Sequence, residues 1–333
     1  HGAALRRRHP EVDFVVGPGR LAGVPDLLAA AARGEPAVVL DPPRARPAEP
    51  AAERCLEALE MGRAPAAGSM PGQAYVRVMR GCDNFCTYCI VPFVRGPERS
   101  RPPEAIEQEV RRLVDAGRSQ ITLLGQAVNR YRWPAGERTV WLSDLLARLA
   151  EVVGLRRLRF VTSHPAQFGR DLLEAMGDLP CVCPYIHAPP QSGSDRVLRA
   201  MGRGYTRAEY DALVDAARQI VPDVVLAGDF IVGFPGETDA DHAASVELLR
   251  RSGFKNSFIF RYSPRPPAAA SRRADDVPAE GKKRRHAELL AVQEEVGLAH
   301  HRGQVGRTME VLVEGPSPRS DRQPEASRPG QVQ

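Results

Sequence analysis

Six apolar segments of strand type alternate with helical segments along the middle of this chain. The strand candidates lie at 75–79, 120–124, 158–162, 182–187, 224–232 and 257–261. The segments between them place apolar residues at helical spacing, as at Ile106, Val110 and Leu113. Strands that alternate with amphipathic helices pair in parallel, and right-handed crossovers curl such a sheet into a full or partial barrel. The pattern predicts an α/β fold whose ligand contacts lie on the loops that follow each strand.

The chain divides into four predicted segments. Residues 1–32, with a strand at 12–16 and a helix from about Pro25, are interpreted as the end of an N-terminal α/β domain. Residues 33–72 are rich in Pro and Ala without a period, which is typical of a linker. Residues 73–304 form the predicted main domain, which ends in a long helix at 278–301. Residues 305–333 are interpreted as the start of a small C-terminal β domain, with a strand at 308–313.

Three of the six cysteines lie within eight residues, directly after the first predicted barrel strand. Cys82, Cys86 and Cys89 have the spacing C-x3-C-x2-C. A [4Fe-4S] cluster normally takes four cysteines, so a tight trio leaves one iron open for an exogenous ligand. A structural zinc site favours four ligands in paired C-x2-C form, and inert core thiols rarely cluster so closely. The spacing therefore favours an iron–sulfur cluster over zinc or core thiols.

Charge and composition narrow the class of protein only slightly. The formal net charge of +5 is compatible with a polyanionic partner such as nucleic acid. The crowded cysteines and the absence of a charged-then-apolar leader favour a reducing cytoplasm over disulfide pairing. The longest apolar stretch, 224–234, is interrupted by Asp229 and is too short to span a bilayer.

The cysteine loop is the first of several motifs that follow one another along the barrel. In chain order they are RGCDNFCTYCIVPFVRGPERSRP from Arg80, LLGQ from Leu123, TSHP from Thr162, QSGSD from Gln191, MGRGYT from Met201 and DFIVGFPGET from Asp229. In order and spacing they resemble the radical S-adenosylmethionine (SAM) domain of the methylthiotransferases, over residues 75 to about 265. Within that family the resemblance is to the branch that converts N6-isopentenyladenosine, next to the tRNA anticodon, to its 2-methylthio form.

The resemblance implies a [4Fe-4S] cluster on Cys82, Cys86 and Cys89 and SAM on the open iron. An electron from the cluster would cleave SAM to a 5′-deoxyadenosyl radical, which abstracts hydrogen from the substrate. The implied partners are tRNA and a reducing donor such as flavodoxin or ferredoxin, with the enzyme acting as a monomer away from membranes. Alternative substrates are threonylcarbamoyl-adenosine in tRNA or a ribosomal-protein aspartate. The alternative from another class is a non-catalytic RNA-binding module stapled by zinc.

Seven residues are predicted to contact SAM because they lie beside the cysteines or on the rim. They are Tyr88, Gly125, Gln126, Ser163, Gln191, Ser194 and Arg203. The superfamily tends to place an aromatic residue beside the adenine at the position of Tyr88, although packing under the loop is the structural alternative. Gly125 would let the backbone approach a ligand and Gln126 would offer an amide, although an ordinary turn explains both.

The remaining candidates also have a functional and a structural interpretation. Gln191 and Ser194 open a helix, where hydroxyl and backbone N–H groups can bind ribose or carboxylate, but Ser194 also suits a helix N-cap. Arg203 can bind a carboxylate with both arms of its guanidinium, but surface arginines are common in this chain. The rim also includes Ser163, His164 and His187, and a histidine there is as readily structural as ligand-binding. Of the arginines that follow the cysteines, Arg95, Arg99 and Arg101 would either meet tRNA phosphates or form a solvated face.

Full-length members of the family have an N-terminal domain with a second [4Fe-4S] cluster and a C-terminal RNA-binding TRAM β-barrel. The stretch HPEVDFVVG from His9 resembles the end of that N-terminal domain, downstream of its cysteines. We therefore expect residues 1–32 and 305–333 to be remnants of these domains and the second cluster to occur only in the full-length protein. The sequence predicts a chain that binds and cleaves SAM without completing the thiolation.

Overall fold

The structure, a computed structural model, describes residues 2–35, 37–39 and 72–313. The first part contains α1 (Gly2–Arg8), β1 (Phe14–Val16), α2 (Val24–Ala32) and β2 (Ala37–Val39). β1 and β2 pair in parallel, with Val15 opposite Val38. The predicted strand and helix are confirmed, but the linker at 33–72 was wrong at its start because β2 completes this βαβ unit. The rest of that segment, 40–71, which includes Cys55, lies outside the described residues.

A partial barrel of parallel strands forms the centre of the second part. The strands in this part are β3 (Gln73–Arg77), β4 (Met79–Arg80), β5 (Arg99–Ser100), β6 (Gln120–Leu124), β7 (Arg132–Ala135), β8 (Arg138–Trp141), β9 (Arg157–Phe160), β10 (Tyr185–His187), β11 (Val225–Val232) and β12 (Asn256–Arg261). Barrel strands β3, β6 and β9 pair in parallel, and so do β10, β11 and β12. One parallel bridge, between Leu158 and Val182, joins the two halves. The predicted partial (βα)6 barrel is confirmed.

Helices connect the barrel strands and cover the outside of the sheet. They are α3 (Val91–Val94), α4 (Pro103–Asp115), α5 (Leu142–Ala150), α6 (Arg170–Asp178), α7 (Asp195–Met201), α8 (Arg207–Ile220), α9 (Asp239–Ser252) and α10 (Ala279–Arg302). Their apolar faces form the core with the strands: Ile106 and Val110 of α4 and Leu145 of α5 are fully buried. None of the described helices is long and apolar enough to cross a membrane.

Three of the strand predictions differ from the structure because of how the strands pair. The first strand ends at Arg77, and Met79–Arg80 instead pairs antiparallel with Arg99–Ser100. The strand predicted at 182–187 is reduced to β10, with Val182 only bridging to Leu158. The strand predicted at 308–313 is wrong: no strand is formed there among the described residues. This segment pairs with none of the described strands, and it accepts a hydrogen bond from Arg157 at the carbonyl oxygen of Glu310 (3.1 Å).

Candidate active site

The cysteine loop lies between β4 and β5, whose antiparallel pairing closes its base. Gly81 begins the loop with φ +74°, in the left-handed region that glycine tolerates. A Cβ at this position would lie 2.0 Å from the carbonyl oxygen of Pro97. The N–H of Cys82 then donates to the carbonyl oxygen of Gly96 (3.1 Å). The loop can close only because residue 81 has no side chain.

The three thiols of the loop are free. Cys82 and Cys86 are buried, and Cys89 is half-buried and accepts a hydrogen bond from the N–H of Val91 (3.4 Å). Burial raises the pKa of Cys82 to about 11 and also raises the pKa of Cys89, where the neighbouring thiol of Cys86 adds to the effect. The thiols of Cys82 and Cys89 are therefore protonated at neutral pH until a metal displaces their protons.

An all-thiolate donor set fits an iron–sulfur cluster better than a single ion. Among the described residues, no group of three His, Cys, Asp or Glu side chains is arranged to hold one metal ion. In a cubane each thiolate binds a different iron, so the sulfur atoms need not converge on one point. The other free cysteines in the described part, Cys181 and Cys183, precede β10 and so lie at the opposite end of the barrel. The loop would supply three ligands to a [4Fe-4S] cluster, which would leave one iron open.

Arg203 is buried and contacts the cysteine loop through its guanidinium. Its Nη1 donates to the Sγ of Cys86 (3.5 Å) and to the hydroxyl of Tyr88 (3.4 Å). Its Nη2 donates to the carbonyl oxygen of Pro189 (2.8 Å), and its Nε donates to the hydroxyl of Tyr205 (3.1 Å). The surface position, which was the structural alternative for Arg203, is wrong, because its guanidinium donates to four protein atoms. Its contact with the SAM carboxylate stays a prediction.

Further hydrogen bonds hold the loop to the end of α7. The N–H of Thr87 donates to the carbonyl oxygen of Met201 (2.9 Å), and its Oγ1 donates to the carbonyl oxygen of Ala200 (2.9 Å). The carbonyl oxygen of Thr87 accepts from the N–H of Ala270 (2.7 Å). The backbone N–H and the carbonyl oxygen of Thr87 are thus both hydrogen-bonded to other segments. These bonds fix the positions of the neighbouring cysteines before a metal binds.

The opposite side of the loop is braced by Arg130, which follows β6. Its Nε donates to Glu98 (2.8 Å), and its Nη1 donates to the side-chain oxygen of Asn84 (2.9 Å). Burial raises the pKa of Glu98, although the charge of Arg130 opposes this shift. Glu98 and Asp83 also exchange backbone-to-carboxylate hydrogen bonds across the loop. The contact of Arg130 with the loop was not predicted, because no sequence spacing connects this residue with the cysteines.

A cavity of about 680 Å³ opens beside the cysteine loop at the carboxyl ends of β11 and β12. Two of the predicted SAM contacts, Tyr88 and Gln191, line it. Gln191 has φ +68° and is held against β11 by a hydrogen bond from its N–H to the carbonyl oxygen of Asp229 (2.9 Å). Ionisable side chains that were not predicted as site residues also line the cavity: Asp229, Arg261, Arg265, Lys282 and His286. Lys282 and His286 come from α10, which sequence spacing does not connect with the barrel rim.

His187 and Asp229 form a pair at the ends of β10 and β11. The Nδ1 of His187 accepts from the backbone N–H of Thr162 (3.3 Å), so its Nε2 carries the proton. That Nε2 donates to Asp229 (3.2 Å). The rim position predicted for His187 is correct, and its ring orients the Asp229 carboxylate at the cavity.

Three rim residues present buried polar atoms that lack a partner among the described residues. They are the Oε1 of Gln126, the Oγ of Ser163 and both ring nitrogens of His164. Buried polar atoms in proteins are nearly always hydrogen-bonded, so unpaired ones on a ligand-binding rim indicate a ligand. This arrangement favours the predicted contacts of Gln126 and Ser163 with a cofactor.

Two of the predicted SAM contacts have structural roles in the fold, and their contact with SAM stays a prediction. A Cβ on Gly125 would lie 2.5 Å from the Cγ of Met79, so the glycine is required for packing between β4 and the end of β6. The Oγ of Ser194 accepts from the N–H of Val197 (3.4 Å) and donates to Asp241 (2.6 Å). Ser194 is therefore the N-cap of α7, which agrees with the structural interpretation given for this residue from the sequence.

The three arginines after the cysteines do not form one face. Arg101 is buried, and its Nη1 donates to Glu109 (2.8 Å) and to the carbonyl oxygen of Arg77 (2.6 Å). The prediction that Arg101 meets phosphates is therefore wrong. Arg99 is half-buried in β5, and Arg95 is exposed on the surface of the loop. Only Arg95 remains fully accessible to a polyanion.

Comparisons with known proteins agree with this site. The family model described as the Radical SAM superfamily matches residues 76–249. The chain is 47% identical over 320 residues to the tRNA-2-methylthio-N(6)-dimethylallyladenosine synthase of Rhodopirellula baltica, covering 95% of this chain and 66% of that protein. It is 42% identical over 314 residues to the enzyme of the same name from Moorella thermoacetica, covering 94% of this chain and 68% of that protein. The chain thus spans about two thirds of the length of these relatives.

Solved structures show the same fold at low sequence identity. The radical SAM methyltransferase TsrM from Kitasatospora setae superposes with a TM-score of 0.50 at 16% identity, covering 60% of this chain and 39% of that one. Coproporphyrinogen III oxidase from Escherichia coli, also a radical SAM enzyme, gives a TM-score of 0.50 at 18% identity, covering 76% of this chain and 57% of that one. The chain belongs to the radical SAM superfamily and, within it, to the same methylthiotransferase family as its two relatives. The cofactors of this family are a [4Fe-4S] cluster and SAM, and the loop described above fits them.

Proposed function

We propose that this chain carries the radical SAM core of a tRNA methylthiotransferase that converts N6-isopentenyladenosine, next to the anticodon, to its 2-methylthio derivative. The observation that carries the proposal is the intact cysteine loop on the barrel rim of a chain 47% identical to a tRNA-2-methylthio-N(6)-dimethylallyladenosine synthase. Substrates in the other branches of the family, threonylcarbamoyl-adenosine and a ribosomal-protein aspartate, are alternative outcomes of the test.

The chain's own residues would hold the cofactor and set its properties. Cys82, Cys86 and Cys89 would bind three irons of the cluster, which supplies the electron that cleaves SAM to a hydrogen-abstracting radical. Arg203 would donate a charge-assisted hydrogen bond to the thiolate of Cys86 and so stabilise its negative charge. The tethering of Thr87 and the closed turn at Gly81 would keep the three thiolates in place.

We propose that the cavity beside the loop receives SAM and the reacting adenosine. Tyr88 and Gln191 line this cavity, which supports their assignment as contacts of the SAM adenosine group. Gln126 and Ser163 would satisfy their unpaired oxygen atoms on the methionine group. The Asp229 carboxylate, oriented by His187, would accept a hydrogen bond from a ligand hydroxyl.

The whole protein would act on tRNA in the cytoplasm, as a monomer, with a flavodoxin- or ferredoxin-type donor supplying electrons. Both the low-potential cluster and the nucleic-acid substrate suit a reducing compartment. Residues 73–304 would be the catalytic core in this arrangement. Residues 1–32 and 305–333 would belong to the flanking cluster-binding and RNA-binding domains, and the complete reaction would require those domains.

The substrate is tested by complementing a deletion strain with the full-length gene that contains this sequence, and with the Cys86→Ala variant of that gene. Nucleosides from the tRNA of each strain are then quantified by mass spectrometry. We expect 2-methylthio-N6-isopentenyladenosine to return with the parent gene and not with the variant. Return of a methylthiolated threonylcarbamoyl-adenosine, or no methylthio-nucleoside with either gene, would overturn the assignment.

A further inference from the structure

A second groove, of about 660 Å³, lies on the same face of the barrel as the cysteine loop. Its walls come from the segments after β6 and β9, including the β7–β8 hairpin and the first turns of α5 and α6. The polar and aromatic side chains of its lining include Arg130, Arg132, Trp141, Ser143, Gln167 and Asp171. Because all parallel strands of a barrel end at one face, loops that follow β6 and β9 open beside the loop that follows β3.

Arg130 connects this groove with the active site. Its side chain lines the groove, while its nitrogens donate to Asn84 and Glu98 of the cysteine loop. Arg130 therefore contacts both the groove and the loop that carries Cys82 and Cys86.

The hairpin presents an aromatic ring and a cation side by side. Arg132 and Trp141 are direct partners in the antiparallel β7–β8 ladder, so their side chains lie on the same face. The next pair, Trp133 and Val140, points to the other face and packs against the core. Arg132 is exposed, and Trp141 is 50% exposed, which is unusual for a residue with so much apolar surface.

The other polar groups of the groove leave this cation available. The carboxylate of Asp171 accepts a hydrogen bond from the hydroxyl of Ser143 (2.7 Å), and Arg130 is paired with Glu98. Gln167 is exposed at the groove and offers an amide that can both donate and accept. A stacking ring beside a guanidinium, with an amide nearby, is the set of groups that binds a base and its phosphate in single-stranded RNA.

We propose that this groove holds an unpaired nucleotide that flanks the reacting adenosine, with its base stacked on Trp141 and its phosphate bound by Arg132. The inference rests on the proposed function, because the RNA in the groove is the substrate of that site. It adds to that function a contact within the barrel itself, independent of any flanking RNA-binding domain. The groove would fix the register of the RNA loop relative to the cluster.

The test measures binding of an anticodon stem-loop RNA that carries N6-isopentenyladenosine to the parent chain and to its variants. Stacking of one base on an aromatic ring contributes about 1–3 kcal/mol, so Trp141→Ala should weaken binding at least about fivefold and Trp141→Phe much less. Arg132→Gln should weaken binding and reduce the slope of log K against log salt by about one. The matched control is Arg250→Gln, which removes an exposed arginine of α9 that is paired with Glu295 of α10. This variant should bind RNA as the parent does.

Fluorescence gives a readout that a merely structural role would not produce. The chain has two tryptophans, and only Trp141 lines the groove. Stacking should quench its emission when the RNA binds, and the quenching should be absent in Trp141→Phe. Unchanged affinity and salt slope in Trp141→Ala and Arg132→Gln, or quenching that persists in Trp141→Phe, would overturn the proposal.

The groove and the proposed function can fail separately. RNA-independent release of 5′-deoxyadenosine from SAM by the reduced chain should be the same in the parent and in Trp141→Ala, because Trp141 does not line the cavity beside the cysteines. If the variants lose RNA affinity but no tRNA is methylthiolated in the complementation assay, the groove binds RNA as proposed and the assigned reaction is wrong. If methylthiolation occurs and the variants bind RNA as the parent does, only the proposed role of the groove is wrong.

Discussion

His164 predicts a specific loss of stability in acid. Its side chain is buried, and its ring packs edge-on against Tyr205 at a centroid distance of 5.8 Å. Burial, with a further contribution from the charges of Arg203 and Arg130, lowers the pKa of His164 to about 3. The folded protein therefore keeps this ring neutral at a pH where the unfolded chain protonates it.

The sign and size of the effect follow from proton linkage. Between the unfolded pKa near 6.5 and the folded pKa of about 3, the unfolded state binds more protons, so the free energy of unfolding falls as the pH falls. The loss begins near pH 6.5 and is complete near pH 3. From pH 7 to pH 5 it amounts to about 2 kcal/mol for this one side chain.

The assay compares urea unfolding of the parent chain and His164→Phe at pH 7 and pH 5. Phenylalanine keeps a ring of similar size against Tyr205 but cannot take up a proton. We expect the parent to lose about 2 kcal/mol more than the variant between the two pH values. His301→Phe, at the exposed end of α10, controls for the removal of a histidine. Equal losses in the parent and in His164→Phe would refute the reasoning.

Three further substitutions test the site and its support. Gly81→Ala would place a Cβ 2.0 Å from the carbonyl oxygen of Pro97, so we expect the reconstituted protein to lose most of its iron, as measured by iron and sulfide content. Arg101→Met would break the buried ion pair between Arg101 and Glu109, which should lower the free energy of unfolding by about 3–5 kcal/mol in denaturant titrations. Arg203→Gln removes a cationic donor from the Sγ of Cys86 and should lower the cluster's reduction potential by on the order of 50 mV in a titration monitored by electron paramagnetic resonance. An unchanged iron content, unfolding energy or potential would contradict the respective argument.

The barrel could be predicted from the sequence because its signals are local. The strand at Gln120–Leu124 was located without error. The apolar face of α4 is buried at Ile106 and Val110 as its spacing indicated. Pairing is not local, and this is why the break after Arg77 was missed. The antiparallel partner of Met79 and Arg80 lies about twenty residues away, beyond the cysteine loop.

The candidate site was only partly predictable, for a similar reason. The cysteines are close in sequence, so their cooperation could be inferred from spacing alone. The buried bonds of Arg203 to Cys86 and Tyr88 span more than 100 residues, and an arginine in sequence carries no mark of burial. Lys282 reaches the cavity from a helix outside the recognised motifs. Ser194 suited two roles equally well until its hydroxyl was seen to bond Asp241.

The central claim is that Cys82, Cys86 and Cys89 hold a [4Fe-4S] cluster that cleaves SAM. The most direct test is anaerobic reconstitution of the chain with iron and sulfide, followed by reduction in the presence of SAM and quantification of 5′-deoxyadenosine. The account predicts visible cluster absorption and 5′-deoxyadenosine from the parent chain, and neither from the triple alanine variant of the three cysteines. A parent chain that binds zinc in place of the cluster and releases no 5′-deoxyadenosine would contradict it.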